Sequence, residues 1–255
     1  MIFYLSSIIE LSNDYSRGDK FENLFDFEKS NVLLSFAKYK KGDEKYIEKC
    51  KRILIDSGAF TFLNSKKEAS KFKPMDYIKK YGDFIKKNEI NDFIELDIES
   101  VFGVETYIDC LHYLQDITGK EPLRVWHLNR GFSYYSQLVK KFPKICIGGI
   151  ATKEINISDK KLIHSLLNEA HKNNCKVHGL GVGSSTYIRE YDFDSVDSAT
   201  WLTSMRNGKI HYFNGHEVNS ISYGSNDDGS RLARVFSGIM AMKEWEKYSK
   251  YLEQF

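Results

Sequence analysis

Short apolar runs of strand character recur along the chain, separated by segments with helical spacing. Ile2–Ser6, Asn31–Phe36, Ile53–Ser57, Phe93–Ile98, Arg124–Leu128, Ile145–Gly149, Lys176–Gly181 and Ser195–Ala199 are short and mostly continuously apolar. Parallel strands buried on both faces read this way. Between them the period lengthens. Pro74 opens a helix at a first-turn position, and Tyr77, Tyr81, Phe84 and Ile85 follow on one face, with Lys79, Lys80, Lys86 and Lys87 largely outside. Val104, Ile108, Leu111 and Leu114 or Gln115 predict the next apolar stripe. Ser158 predicts a cap for a helix carrying Ile163, Leu166, Leu167 and Ala170, and a final helix carries Leu232, Val235, Phe236, Ile239 and Trp245. Strand and helix alternating in this way predict a (β/α)8 TIM barrel, one domain over residues 1–255. Small insertions fall at Glu10–Ser30 and Gly208–Gly229, the second with a strand-like piece, Lys209–Phe213, and a polar loop, Ser225–Ser230. A doubly wound open sheet is the alternative.

Composition narrows the class. A chain of 255 residues with 42% hydrophobic content suits one large core, and 3 prolines with no Ser/Gly-rich tract argue against a linker. No apolar run approaches the ~20 residues needed to cross a bilayer. Met1–Glu10 lacks a basic leader and reads as a first strand. Cys50, Cys110, Cys146 and Cys175 are scattered without zinc spacing, which suggests reduced thiols in a cytoplasmic protein. His127, His178, His211 and His216 show no paired helical spacing, so no metal site is expected. The net charge of +2 neither demands nor excludes a nucleic-acid partner.

Candidate chemistry lies where strands end, because barrel enzymes build their sites on that face. Asp56, Asp97 and Asp197 each follow an apolar strand. Singly, such an Asp is more often a turn former; three at one mouth suggest paired carboxylates for substitution at a sugar anomeric carbon. Alternation sends Glu95, Asp97 and Glu99 to one side, where they would repel unless donors surround them. Ser57 and Gly58 follow Asp56, and Gly148, Gly149 and Gly181 permit close backbone approach to a flat ligand or a phosphate. His127 is either a substrate contact or a hydrogen-bonded strand-end imidazole.

In this order the motifs resemble those of the tRNA-guanine transglycosylase superfamily. Asp56-Ser57-Gly58-Ala59-Phe60 resembles its Asp-Ser-Gly-Gly-Phe signature, Ile147-Gly148-Gly149-Ile150-Ala151 its Gly-Gly-Leu-Ala loop, and Gly181-Val182-Gly183 its Gly-Val-Gly. Val196-Asp197-Ser198 falls where the superfamily has Phe-Asp-Cys, and Leu96-Asp97 where it has the guanine-recognising Asp. Asn31–Phe36, the Ala of Asp-Ser-Gly-Ala-Phe, His178-Gly179-Leu180-Gly181 and Ser195–Trp201 look closer to its DNA 7-deazaguanine transglycosylase branch, found in phages and bacterial genomic islands. The tRNA enzymes carry a C-terminal zinc subdomain; after Cys175 no cysteine remains to form one.

The resemblance implies a transglycosylase with Asp197 as nucleophile and Asp56 as proton acceptor. Asp97 then contacts the base edge, with His127 as a secondary contact, the backbone near Gly148, Gly149 and Ile150 contacts the opposite edge, and Ser57, Gly58 and Gly181 complete the base-binding set. It implies DNA as partner, a 7-deazaguanine base such as preQ0 or preQ1 as cosubstrate, and no cofactor. A tRNA-directed enzyme, a non-catalytic purine- or nucleic-acid-binding barrel and a hydrolytic glycosidase are the rivals. Lys66, Lys67, Lys71, Lys73, Arg130, Arg189 and Arg206 are expected at the surface, where some would meet phosphates.

Overall fold

The computed structural model describes residues 1–8, 25–63, 69–222 and 231–255. Seven of the expected strands form one curled parallel sheet: β1 (Ile2–Ser6), β2 (Asn31–Ser35), β3 (Arg52–Asp56), β4 (Arg124–Trp126), β5 (Lys144–Ile147), β6 (Lys176–Gly179) and β7 (Ser195–Ser198), in the order β3-β2-β1-β7-β6-β5-β4. The eighth expected strand, Phe93–Ile98, makes only isolated bridges, Phe93 with Ile55 of β3 and Ile94 with Leu123 beside β4. It therefore lies between the two edges of the sheet. It leaves the ladder because the Glu95 side chain takes the Val125 N–H at 2.9 Å, the donor a further strand residue would have needed.

The helices are α1 (Glu44–Ile47), α2 (Ala59–Leu63), α3 (Pro74–Lys87), α4 (Glu99–Thr118), α5 (Gly131–Lys141), α6 (Lys160–Lys172), α7 (Ser185–Glu190), α8 (Thr203–Asn207) and α9 (Arg231–Leu252). Helix α3 follows the sequence pattern, with Pro74 in its first turn and Tyr81, Phe84 and Ile85 buried. Helix α4 follows it in part: Leu114 is buried and Leu111 packs against the core as expected, but Val104 and Ile108 are exposed, and Tyr107 and Cys110 face the core instead. Gly103, at φ 82°, breaks the helical path at its start and turns the following face. Asp159, not Ser158, caps α6, its carboxylate accepting the Leu162 N–H at 3.1 Å. On α9, Ile239 and Trp245 are buried but Phe236 points outward; the side chains of Leu232 and Val235 lie outside the described residues.

Lys209–Phe213 is indeed a strand, β8, paired antiparallel with β9 (Val218–Ser222) in a hairpin apart from the main sheet. The loop at Ser225–Ser230 and most of Glu10–Ser30 lie outside the described residues. All four cysteines are free thiols, and among the described residues no helix is long and apolar enough to cross a membrane.

Two apolar layers hold this arrangement. The larger packs the helices on the outer face of the sheet and includes Trp245, stacked on Phe3 of β1 with centroids 5.3 Å apart. The smaller lies inside the curl and takes one residue from each of six consecutive segments: Tyr4, Leu33, Leu54, Ile94, Val125 and Cys146. Leu54 has no solvent exposure. Leu54→Ala should lower stability by about 2–5 kcal/mol, because the curled sheet cannot collapse onto the space left; urea unfolding measures it.

Candidate functional site

The C-terminal ends of the strands surround a cavity of about 570 Å³. Its wall includes Asp56, Ser57, Asp97, His127, Gly148, Gly149, Gly181 and Asp197, so most of the residues singled out in the sequence meet there. Parallel strands deliver this convergence, since every strand points its C-terminus to the same mouth. Gly58 and Ile150 are not on the wall. Gly58 is at φ +77° and packs so closely that a Cβ would lie 2.3 Å from the Ala37 Cβ, which gives it a role in the turn. Ile150 is buried in the apolar core.

Asp197 receives two firm hydrogen bonds. Ser6 Oγ donates to Oδ2 at 2.6 Å and the Gly181 N–H donates to Oδ1 at 2.8 Å. Gly181, at φ +72°, turns its amide inward in a conformation that L side chains rarely adopt. Asp56 is half-buried, and its environment differs. Burial pushes its pKa up to about 6, and the Asp197 and Asp97 charges add to the rise; the Gly58 N–H and the Ser35 hydroxyl oppose it. Two carboxylates on one cavity thus sit in different surroundings, one held by a hydroxyl and a backbone amide and the other with its pKa raised by burial.

Asp97 sits in an ion network the sequence did not disclose. His127 Nε2 lies 2.5 Å from Asp97 Oδ2, and His127 Nδ1 lies 3.0 Å from Glu154 Oε2. Carboxylates only accept, so a ring held between two of them is favoured as the imidazolium. Burial opposes that charge, but the two acids outweigh it and hold the His127 pKa above its ordinary value. Its charge therefore stabilises the fold below the ordinary imidazole range, and that contribution fades as pH rises through the raised value.

Behind this pair lies Arg130. It was expected at the surface, but its side chain is only 7% exposed. It reaches Glu99 at 2.7 Å, Asp97 at 3.4 Å and Glu95 at 3.7 Å. The three acids do share one side, and the guanidinium is the donor group that keeps them together. Glu95 is fully buried and accepts from the Tyr107 hydroxyl at 2.7 Å and from Arg124 at 3.2 Å, besides the Val125 N–H. Of the other expected surface cations, Lys71, Lys73 and Arg206 are exposed, Arg189 pairs with Glu217 at 2.9 Å, and Lys66 and Lys67 lie outside the described residues.

Glu154, Ser6, Arg124 and Tyr107 were missed by sequence reading. Strand periodicity carries no signal for Glu154 or Ser6, and the alternation that exposed Glu95 says nothing of which cations answer it. Among the described residues no group of three or more His, Cys, Asp or Glu side chains is placed to hold a metal ion. No protein-family model matches the chain, and no curated protein matches it.

The buried network yields a stability test. Glu95→Ala removes the buried acceptor of the Tyr107 hydroxyl and the Val125 amide, and leaves the buried Arg124 and Arg130 guanidinium groups to their outer partners, Glu121, Asp97 and Glu99. A loss of about 3–5 kcal/mol is expected in chemical unfolding, well above that for an exposed glutamate.

Proposed function

We propose that the curled sheet and the Phe93–Ile94 segment make a (β/α)8 barrel, and that the protein is a base-exchange transglycosylase acting on guanine in DNA. The observation that carries this reading is the pair Asp56 and Asp197 on one cavity wall, with a third acid, Asp97, on the same wall. The cavity volume is in the range of about 300–1,000 Å³ that small-molecule sites occupy.

In the first step a carboxylate oxygen of Asp197 attacks C1′ of the target nucleotide. The C1′–N9 bond breaks with its electron pair going to the base, guanine departs and takes a proton from water, and the sugar is held as an ester of Asp197. In the second step a 7-deazaguanine such as preQ0 or preQ1 enters. Asp56 takes the N9 proton, N9 attacks C1′, and the ester bond breaks to restore the Asp197 carboxylate. Two inversions give net retention. The transition states are oxocarbenium-like, and the surrounding carboxylates stabilise that positive charge. Asp97 accepts from N1–H and the exocyclic amine of the base, with His127 beside it, and the Gly148–Gly149 backbone faces the opposite edge. A wall this rich in acceptors suits a donor-rich purine edge and repels phosphate, so the backbone of the polynucleotide stays at the mouth. The target base must leave its stack, at a cost of a few kcal/mol. The entering base is a cosubstrate, and no resident cofactor is assigned. The choice of DNA over tRNA rests on the motif resemblance, and a cytoplasmic location on the four free, scattered cysteines.

Asp197→Ala should abolish incorporation of preQ0 or preQ1 into DNA, read by mass spectrometry of digested nucleosides; undiminished exchange removes Asp197 from the nucleophile role. Labelled guanine offered with DNA and with tRNA separates the two polynucleotides. Asp56 must be ionised to accept a proton, so exchange should fall as pH drops through about 6. Asp56→Asn should lower the rate by about 10²–10⁴-fold and remove that acid limb from the pH profile.

A further inference from the structure

Inside the curl, directly below the proposed nucleophile, lies a polar side chain that the steps above do not use. His178 of β6 has no solvent exposure. Its cross-strand partner on β7 is Ser195, and Asp197 follows two residues later on the same face of that strand. Nδ1 lies 2.9 Å from Ser195 Oγ. Nε2 has no hydrogen-bond partner and lies 3.4 Å from Asp197 Oδ1. The ring meets Tyr4 edge-on at 5.8 Å, with that side of the ring closed by an aromatic wall.

We propose that His178 is a positioning residue for Asp197. This rests on the reading of Asp197 as nucleophile. A nitrogen lone pair facing a carboxylate oxygen would be repelled, so the proton belongs on Nε2, and Ser195 donates its hydroxyl proton to Nδ1. A buried N–H without a partner is costly, and the nearest acceptor is Asp197 Oδ1. The separation is longer than a made hydrogen bond, as such contacts often are before substrate binds, and it closes by a small rotation of the carboxyl group. Oδ1 then holds two donors, the Gly181 N–H and His178 Nε2–H. Oδ2 keeps only Ser6 and retains a lone pair toward the cavity. His178 thereby selects Oδ2 as the oxygen that attacks C1′ and fixes its direction, and it does so without touching the base.

The two ring nitrogens can be imitated separately. A glutamine amide nitrogen reaches the place of Nε2, and an asparagine amide nitrogen reaches only that of Nδ1. His178→Gln should keep kcat within about threefold of wild type, whereas His178→Asn should lose roughly 10- to 100-fold in kcat with KM for the entering base unchanged. Equal losses in both variants, with melting temperatures like wild type, would overturn the proposal. A readout independent of activity guards against variants that do not fold. Long-range ¹H–¹⁵N spectra of the ¹⁵N-histidine-labelled wild-type chain should show a protonated Nε2 and a pyridine-like Nδ1 for His178, a pattern perturbed by Asp197→Asn. A proton on Nδ1 instead would overturn the assignment. If wild-type protein exchanges no guanine, the transglycosylase reading fails, and the ring tautomer still decides whether His178 is paired with Asp197.

Discussion

A carboxylate with no access to water organises one side of this protein. Glu95 is tolerated in the interior because Tyr107, Arg124 and the Val125 amide all donate to it. Burial raises its pKa, and those donors and the Arg124 and Arg130 charges oppose the rise. The same contacts shape the chain. Val125's amide is taken by a side chain rather than by a neighbouring strand, so the segment after Ile94 leaves the ladder at the point where the two sheet edges meet. The residues that follow are carried to the cavity, with Asp97 on its wall and Glu99 at the first turn of α4. Arg130 is drawn inward to answer all three acids and is held further by its carbonyl contact to Val125 at 2.9 Å and by the faces of Tyr107 and Tyr134.

The cavity that results has many acids and few cations, and each acid is handled differently. Asp97 and Glu154 clamp His127 and are partly neutralised by it. Asp197 is held by a hydroxyl and an amide. At Asp56 burial outweighs the donors and pushes the pKa up to about 6. Nucleophilic and proton-accepting roles can be divided between two chemically identical side chains only through such differences in surroundings. The different surroundings follow from where the strands end: β1 supplies Ser6, β3 supplies Asp56, β6 and its loop supply His178 and Gly181, and β7 supplies Asp197. No single segment contains a working set.

How much of this the sequence disclosed depends on the length scale of each interaction. Strands such as Ile53–Ser57 and helix α3 were legible to within a residue or two, because continuous apolar runs and the 3.6-residue period are local properties. Asp56, Asp97 and Asp197 were legible as one group because parallel strands share a mouth. Val104, Ile108 and Phe236 were misread because a helix with apolar residues on several faces does not say which face meets the sheet; Gly103 decided that for α4. Arg130 looked like a surface cation because nothing within its own segment reveals three carboxylates waiting behind it. Gly58 looked like a ligand contact, and its packing against Ala37 became visible only in space. The sequence by itself determined the alternation of elements and the chemical character of the mouth, since both follow from residue type and spacing. Tertiary structure alone decided which acid meets which donor, because those pairs join residues far apart in the chain, as Ser6 meets Asp197 and Asp97 meets His127.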